Sequence, residues 1–106
     1  MLTVRVSKKN GRVKTVEAKG HTGYAEEGSD IICSAVSALT QTALLGLIKV
    51  AKAETKYETR DGYLSFTVTE TDSVKLNAAD IILQTMCVGI KDISSGYPEY
   101  VKTENF

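Results

Sequence analysis

The sequence predicts an α+β fold, a two-layer α/β sandwich in which two helices cover a four-stranded sheet. Two tight-turn dipeptides, Asn10-Gly11 and Asp61-Gly62, each separate two segments whose apolar and polar residues alternate, as in β-hairpins. Each hairpin is followed by a long segment with the apolar spacing of a helix. The predicted order is therefore ββα-ββα, because two amphipathic helices can bury the apolar face that two hairpins expose.

The composition fits one globular domain over residues 1–106. Apolar residues make up 42% of the chain and charged residues 25%, which is ordinary for folded proteins. Thirteen Lys and Arg balance thirteen Asp and Glu, so the formal net charge is zero. Proteins that mainly bind phosphate backbones carry a basic excess or patch. We therefore expect no direct nucleic-acid binding, although the first hairpin is locally basic and leaves a contact with RNA open.

Neither a membrane span nor a secretory signal is expected from the sequence. The longest apolar region, residues 31–53, is interrupted by serine, threonine and glutamine before it reaches the ~18 apolar residues that cross a bilayer. The first residues lack an apolar core followed by a small-residue cleavage site. These observations favour a cytoplasmic protein with no membrane partner.

Residues 1–28 are predicted to form the first hairpin and the loop that follows it. Residues 2–7 and 12–19 alternate apolar and polar side chains, which predicts two half-buried strands. The segment Gly20–Gly28 contains three glycines in nine residues and has no periodicity. It is predicted to be a loop.

The first helix is predicted from about Asp30 to Lys52. Ser29 and Asp30 are favourable N-cap residues. One apolar face follows at spacings of 4, 3, 4, 4 and 3, formed by Ile32, Val36, Leu39, Ala43, Leu47 and Val50. Other apolar residues lie off this face: Ile31, Leu44, Leu45 and Ile48. A helix that is apolar on more than one side needs a second partner, so the sequence predicts a homodimer.

The second half repeats the hairpin–helix order without repeating the sequence. Residues 54–60 and 63–70 are predicted strands, and a helix follows from about Ser73 to Ser94. Gly96 is a plausible stop for this helix, and Pro98 prevents its simple continuation. Residues 100–103 are a candidate for a short additional edge strand.

The two cysteines do not form a metal-binding pattern. Cys33 and Cys87 are far apart, and His21 is the only histidine, whereas a zinc site usually takes four ligands from Cys and His. We expect no metal and no cofactor. Under reducing conditions both cysteines are predicted to be free thiols.

Only one place in the sequence combines a nucleophile, a base and a glycine-rich loop that leads into a helix N-terminus. His21 lies in the glycine-rich loop, and Cys33 is the third residue of the predicted helix, with eleven residues between the two. A helix N-terminus favours a thiolate, and its free N–H groups can stabilise an oxyanion. The residues one and two turns after Cys33 form a small polar strip, Ser37, Thr40 and Gln41. Cys87 instead lies mid-helix among apolar residues, where a thiol packs as a small hydrophobic group.

Each of these residues also has a purely structural interpretation. A helical cysteine often only packs, a lone loop histidine is usually a surface residue, and loop glycines can serve the turn alone. Asp30 is most simply a helix cap, and Ser37 a hydroxyl on the helix surface.

The segments Gly20–Ala25 and Asp30–Gln41 resemble the signature of the ribosomal-processing cysteine protease Prp family. A Gly-His-x-Gly-Tyr loop is followed by an Asp-Ile-x-Cys helix start, and the similarity extends over nearly the whole chain, including Asp61-Gly62-Tyr63. The resemblance implies a cytoplasmic cysteine endopeptidase from a bacterium of the Gram-positive or related kind. Such enzymes remove the N-terminal extension of large-subunit ribosomal protein twenty-seven, cutting after a short apolar and aromatic stretch, during ribosome assembly.

The resemblance also implies specific roles for residues of this chain. His21 and Cys33 correspond to the family's catalytic dyad, the family members are homodimers, and the loop between the dyad residues becomes ordered on substrate. Beside the dyad we place Asp30 and Ser37 as supporting residues. Three glycines are candidates for loop gating: Gly20, Gly23 and Gly28. Tyr24 is a candidate wall of the substrate site, and simple anchoring of the loop is its alternative role.

Two other functions are compatible with the residues. The chain can be a non-catalytic ribosome-assembly interaction module in which Cys33 only packs. It can also be a thiol enzyme that acts on small acyl compounds. An alkylation-rate profile against pH separates the first from a catalytic thiol, because a reactive Cys33 should label well below the unperturbed thiol pKa of ~8.5. A peptide that carries the ribosomal extension separates the second, because only the protease cuts it.

Overall fold

The structure is a computed structural model that describes the backbone of residues 1–20 and 27–106 and the side chains of residues 1–20 and 31–106. These residues form a mixed five-stranded sheet and two helices. The elements in chain order are β1 Leu2–Lys9, β2 Arg12–Lys19, α1 Glu27–Lys49, β3 Thr55–Arg60, β4 Tyr63–Val68, α2 Ser73–Gly96 and β5 Val101–Glu104. The predicted α+β class is confirmed, and the strand count of four is wrong.

The sheet has the strand order β3-β4-β2-β1-β5. Both predicted hairpins are confirmed, and antiparallel pairing of β2 with β4 joins them. Asn10 and Gly11 both have positive φ, 53° and 77°, as a type I′ hairpin turn requires. The fifth strand is the candidate from the tail, and β5 pairs in parallel with β1. A strand of four residues offers too few alternating positions to be established from sequence.

The core lies between one face of the sheet and the helices. The strand residues that point into it are all buried: Leu2, Val4, Val6, Val13, Val16, Ala18, Leu64, Phe66, Val68 and Val101. Val13 and Val16 are three residues apart yet share this face, because a bulge shifts the register of β2 opposite Ser7 and Lys8. The other face carries polar residues, among which the Nε of Arg5 donates to a Glu104 carboxylate oxygen at 2.6 Å.

Helix α1 begins at Glu27, three residues before the predicted start at Asp30. Ser29 and Asp30 therefore lie inside the first turn, and the prediction that they cap the helix is wrong. Gly28 also belongs to this turn and not to the loop. The sequence pattern misses the turn because apolar periodicity begins only after Asp30.

Helix α1 ends at Lys49, and the predicted end at Lys52 is wrong. The N–H of Ala53 donates to the carbonyl of Leu47 at 2.9 Å, and Lys52 has φ 53°. This bond spans six residues and folds the chain back over the helix end, with Lys52 in the left-handed conformation that glycine usually takes. Val50 therefore lies beyond the helix and is exposed, whereas the prediction places it in the core.

Helix α2 agrees with the predicted bounds to within two residues. The side chain of Asp72 caps it by accepting from the N–H of Lys75 at 3.0 Å. Its buried residues are Ala79, Leu83, Met86 and Ile90. The two helices run antiparallel, since Gly46 faces Ile82 and Gly89 faces Leu39.

The apolar residues of α1 lie on two of its faces. Of the four residues predicted off the main face, Leu44 is buried within this chain, while Ile31, Leu45 and Ile48 are exposed. By length and composition, Ile31–Lys49 is apolar enough to cross a membrane, and a third of it is buried here. A single such helix is weak evidence for a membrane span, because the core helices of globular proteins share these properties.

Candidate active site

A pocket of about 260 Å³ lies between α1 and the turn that joins β3 to β4. Cys33 is half-buried and lines it together with Ser37 and Gln41. Residues 59–64 form the opposite wall. Leu2, Ala18 and Gly20 complete the lining from the ends of β1 and β2. The pocket therefore joins parts of the chain that are distant in sequence.

Gly20 fixes the end of β2 at the wall of this pocket. Its N–H donates to the carbonyl of Gly62 at 2.9 Å, and its φ is +99°. A Cβ at this position would lie 2.5 Å from the carbonyl oxygen of Met1, a distance that Cβ atoms do not adopt. Both the backbone angle and the space thus require glycine. The structure explains Gly20 by this attachment, and its gating role stays a prediction.

The remaining predicted loop residues lie outside the described part of the chain. These are His21, Gly23 and Tyr24. Gly20, the residue directly before His21, lines the Cys33 pocket. The first described segment of the chain stops at this residue. The backbones of Gly28 and Asp30 lie in α1, and the Asp30 side chain is outside the described residues. The dyad contact and the roles of these residues stay predictions.

Cys33 is the seventh residue of α1, not the third as predicted. At this position a backbone N–H bonds to the carbonyl four residues earlier. The free N–H groups of a helix lie in its first turn, so the N–H of Cys33 is not one of the groups that could bind an oxyanion. The field of a helix end also falls off within the first turn. The helix N-terminus therefore has little effect on the Cys33 side chain.

The polar strip predicted after Cys33 is present on the α1 side of the pocket. Ser37, one turn on, is partly buried and lines the pocket. Thr40 is only 1% exposed, and its hydroxyl donates to the carbonyls of Val36 and Ser37, both at 3.1 Å. This threonine is therefore fixed to the helix backbone and forms a rigid part of the pocket lining.

Sequence reasoning missed the wall opposite Cys33. The guanidinium carbon of Arg60 lies 3.9 Å from the centre of the Tyr63 ring, a cation–π contact across the turn. The hydroxyl of Tyr63 donates to Glu17 on β2 at 3.3 Å. These contacts hold the turn in place. The only sequence signal was the Asp61-Gly62 turn itself, which says nothing about what the turn faces.

The second cysteine has a different environment. Cys87 packs against the core from α2, and burial raises the pKa of its thiol, with a smaller opposing effect of Lys8. A raised pKa leaves less thiolate at a given pH. At pH 7, Cys87 in the Cys33→Ala variant should therefore react with iodoacetamide several-fold more slowly in the folded protein than in urea. Mass spectrometry of the digested protein measures both rates, and equal rates would contradict the protected position.

Known proteins match this chain in sequence and in fold over nearly its whole length. The model of the family described as cysteine protease Prp matches residues 1–102. The ribosomal processing cysteine protease Prp of Staphylococcus aureus (strain Mu50) is 29% identical over 106 residues, covering 96% of each chain. A crystal structure of the S. aureus Prp protease with a substrate peptide has a TM-score of 0.85 at 25% identity, covering 97% of each chain. A second, with a covalently linked product peptide, has a TM-score of 0.84 at 26% identity, covering 98% of each chain.

Proposed function

The chain belongs to the cysteine protease Prp family and is a cysteine protease, and from this premise we propose that it removes the N-terminal extension of large-subunit ribosomal protein twenty-seven. The observation that carries the proposal is the pocket that Cys33 lines together with Gly20, the residue before His21. The S. aureus relatives are named for ribosomal processing, and one of them binds a substrate peptide. The proposed enzyme acts in the cytoplasm, during ribosome assembly.

The proposed mechanism uses a dyad of His21 and Cys33. The imidazole of His21 takes the thiol proton, and the sulfur of Cys33 attacks the scissile carbonyl. The tetrahedral intermediate collapses as the imidazolium gives its proton to the leaving amine, which leaves a thioester on Cys33. Water, deprotonated by His21, then hydrolyses the thioester and frees the thiol. The seventh-residue position of Cys33 favours this scheme over activation by the helix terminus.

The other predicted site residues have secondary parts in the proposal. Ser37 lies in the pocket one turn after Cys33 and supports the dyad together with Asp30. Tyr24 contributes a wall for the substrate. The proposed hinges are Gly20 at the end of β2, Gly23, and Gly28 in the first turn of α1, about which the segment that contains Tyr24 closes over the peptide.

Co-expression with the extended ribosomal protein tests the proposed substrate. The wild-type enzyme should convert the extended form to the mature form, and the Cys33→Ala variant should leave it intact. Intact-mass measurement of the purified ribosomal protein reports the cut. Conversion by both proteins, or by neither, would contradict the proposal, and the second result would favour the non-catalytic ribosome-assembly module.

We also propose that the enzyme is a homodimer, associating through the outer face of its helix layer. Large apolar residues are exposed there on both helices: Ile31, Leu45, Val74, Ile81 and Val88. Those of α2 recur at intervals of seven residues, so they form one stripe on the side opposite Ala79, Leu83, Met86 and Ile90. Two exposed stripes side by side make an apolar surface that a second copy can cover.

Substitution of Leu45 should separate the proposed dimer. Leu45→Arg places a charge within the apolar surface, and a charge buried there without a partner is costly. We expect a monomer for Leu45→Arg and a dimer for Ser7→Arg, which adds the same charge to the exposed polar face of the sheet. Light scattering coupled to gel filtration measures the two masses. A dimer of unchanged stability in Leu45→Arg would contradict this interface.

A further inference from the structure

Tyr57 on β3 is an exposed aromatic residue on the side of the sheet that carries the core. It is 57% exposed, whereas its partner on β4, Phe66, is 1% exposed. Residues directly opposite each other in an antiparallel pair point to the same face of the sheet. Tyr57 therefore points toward the helix layer without being covered by it.

One flank of α1 begins at the Cys33 pocket. The flank that faces α2 contains Leu39 and Gly46. The opposite flank carries residues at spacings of 4, 4, 3 and 4: Cys33, Ser37, Gln41, Leu44 and Ile48. The first three line the pocket, and Ile48, about 22 Å along the helix from Cys33, is 39% exposed. An apolar residue of α1 thus lies at the far end of the same flank.

β3 is an edge of the sheet among the described strands. Arg60 and Tyr63 pair across a two-residue turn, so they form a hydrogen-bonded pair, and the pairs alternate from there. Thr55, Tyr57 and Thr59 consequently direct their backbone N–H and C=O groups away from β4. Thr59 and Arg60 also line the Cys33 pocket. An open strand edge therefore runs directly into the candidate active site.

We propose that β3 is the docking strand for the peptide substrate, whose extended chain pairs with its outer edge and packs an apolar side chain against Tyr57 and Ile48. The inference rests on the protease function proposed above and names where its substrate binds. Extended peptides commonly bind by adding a strand to an open sheet edge, where main-chain hydrogen bonds give affinity and side-chain contacts give specificity. Because Thr59 and Cys33 share one pocket, a peptide on β3 is led to the sulfur.

Binding to an enzyme that cannot cleave tests the docking strand. In the Cys33→Ala background, fluorescence anisotropy measures the affinity for a labelled peptide that spans the proposed ribosomal processing site. Adding Tyr57→Ala should weaken binding about tenfold, and Tyr57→Phe should keep it within about twofold because the ring remains. The matched control is Tyr97→Ala, which removes an aromatic ring 46% exposed just past the end of α2 and should leave the affinity unchanged.

Modified peptides test the strand pairing separately from the aromatic contact. N-methyl groups on peptide amides should weaken binding at alternate positions only, because every second N–H of an added strand faces β3. Equal affinities of Tyr57→Ala and its parent, or no alternation with N-methylation, would overturn the docking strand while leaving the protease intact. If the loss of affinity accompanies a change from dimer to monomer, the outer edge of β3 binds a second copy of the chain, and the docking strand is overturned too. If the Cys33→Ala parent does not bind the peptide, both the docking strand and the proposed ribosomal substrate are overturned.

Discussion

The Cys33→Ala variant is expected to lose at least about a thousandfold in kcat/KM for peptide cleavage. Alanine offers no atom that can form the thioester, so only cleavage by water positioned in the pocket remains. The measurement is a quenched-fluorescence assay on a peptide that spans the processing site. Cys87→Ala is the matched control and should keep its activity, because Cys87 packs on α2 and is not part of the pocket lining.

The same loss is expected for His21→Ala, and the two losses should not add. If one residue activates the other, the His21→Ala/Cys33→Ala double variant should be no slower than Cys33→Ala alone, since residues that act as a unit are strongly non-additive. Additive losses would contradict a dyad. Full activity of His21→Ala would also contradict the dyad and would require another group as the base.

Gly20→Ala is expected to destabilise the fold by about 3 kcal/mol or more. The substituted residue would have to keep φ near +99° with its Cβ 2.5 Å from the backbone oxygen of Met1. Relief of that clash requires movement of the end of β2 and loss of the bond from Gly20 to Gly62. Because Gly20 precedes His21, peptide cleavage should fall together with stability.

Gly11→Ala is the matched control for this effect. Gly11 also has a positive φ, 77°, but a Cβ there meets no atom within 4 Å. Its substitution should therefore cost only the backbone strain, about 1 kcal/mol. Urea unfolding of both variants measures the difference, and equal free energies of unfolding would contradict the close approach of Gly20 to Met1.

Local patterns predict most of the described elements. Asn10-Gly11 and the alternation around it establish the first hairpin because turn chemistry and side-chain period act over only a few residues. The same local signals misplace the ends of α1. Its first turn contains no apolar residue, and its end depends on Lys52 adopting a left-handed conformation that composition does not reveal.

The candidate site is predictable only in part. The sequence motif places His21 beside Cys33 by family resemblance, and the thiol does line a pocket. What the sequence does not provide is the other wall, because the contact of α1 with the turn that holds Arg60 and Tyr63 depends on tertiary packing. The sequence also does not reveal that β3 lies at an edge of the sheet, because the strand order depends on the pairing of β2 with β4.

Covalent trapping tests the central claim, that Cys33 is the nucleophile of a peptide-cutting site. The probe is the processing-site peptide with a vinyl sulfone in place of the scissile amide, to which a thiolate adds at the double bond. Digestion and mass spectrometry should find one adduct per chain, on the fragment that contains Cys33, and none on the fragment with Cys87. An adduct on Cys87, or an unmodified Cys33 in an enzyme that still cuts the peptide, would contradict the account.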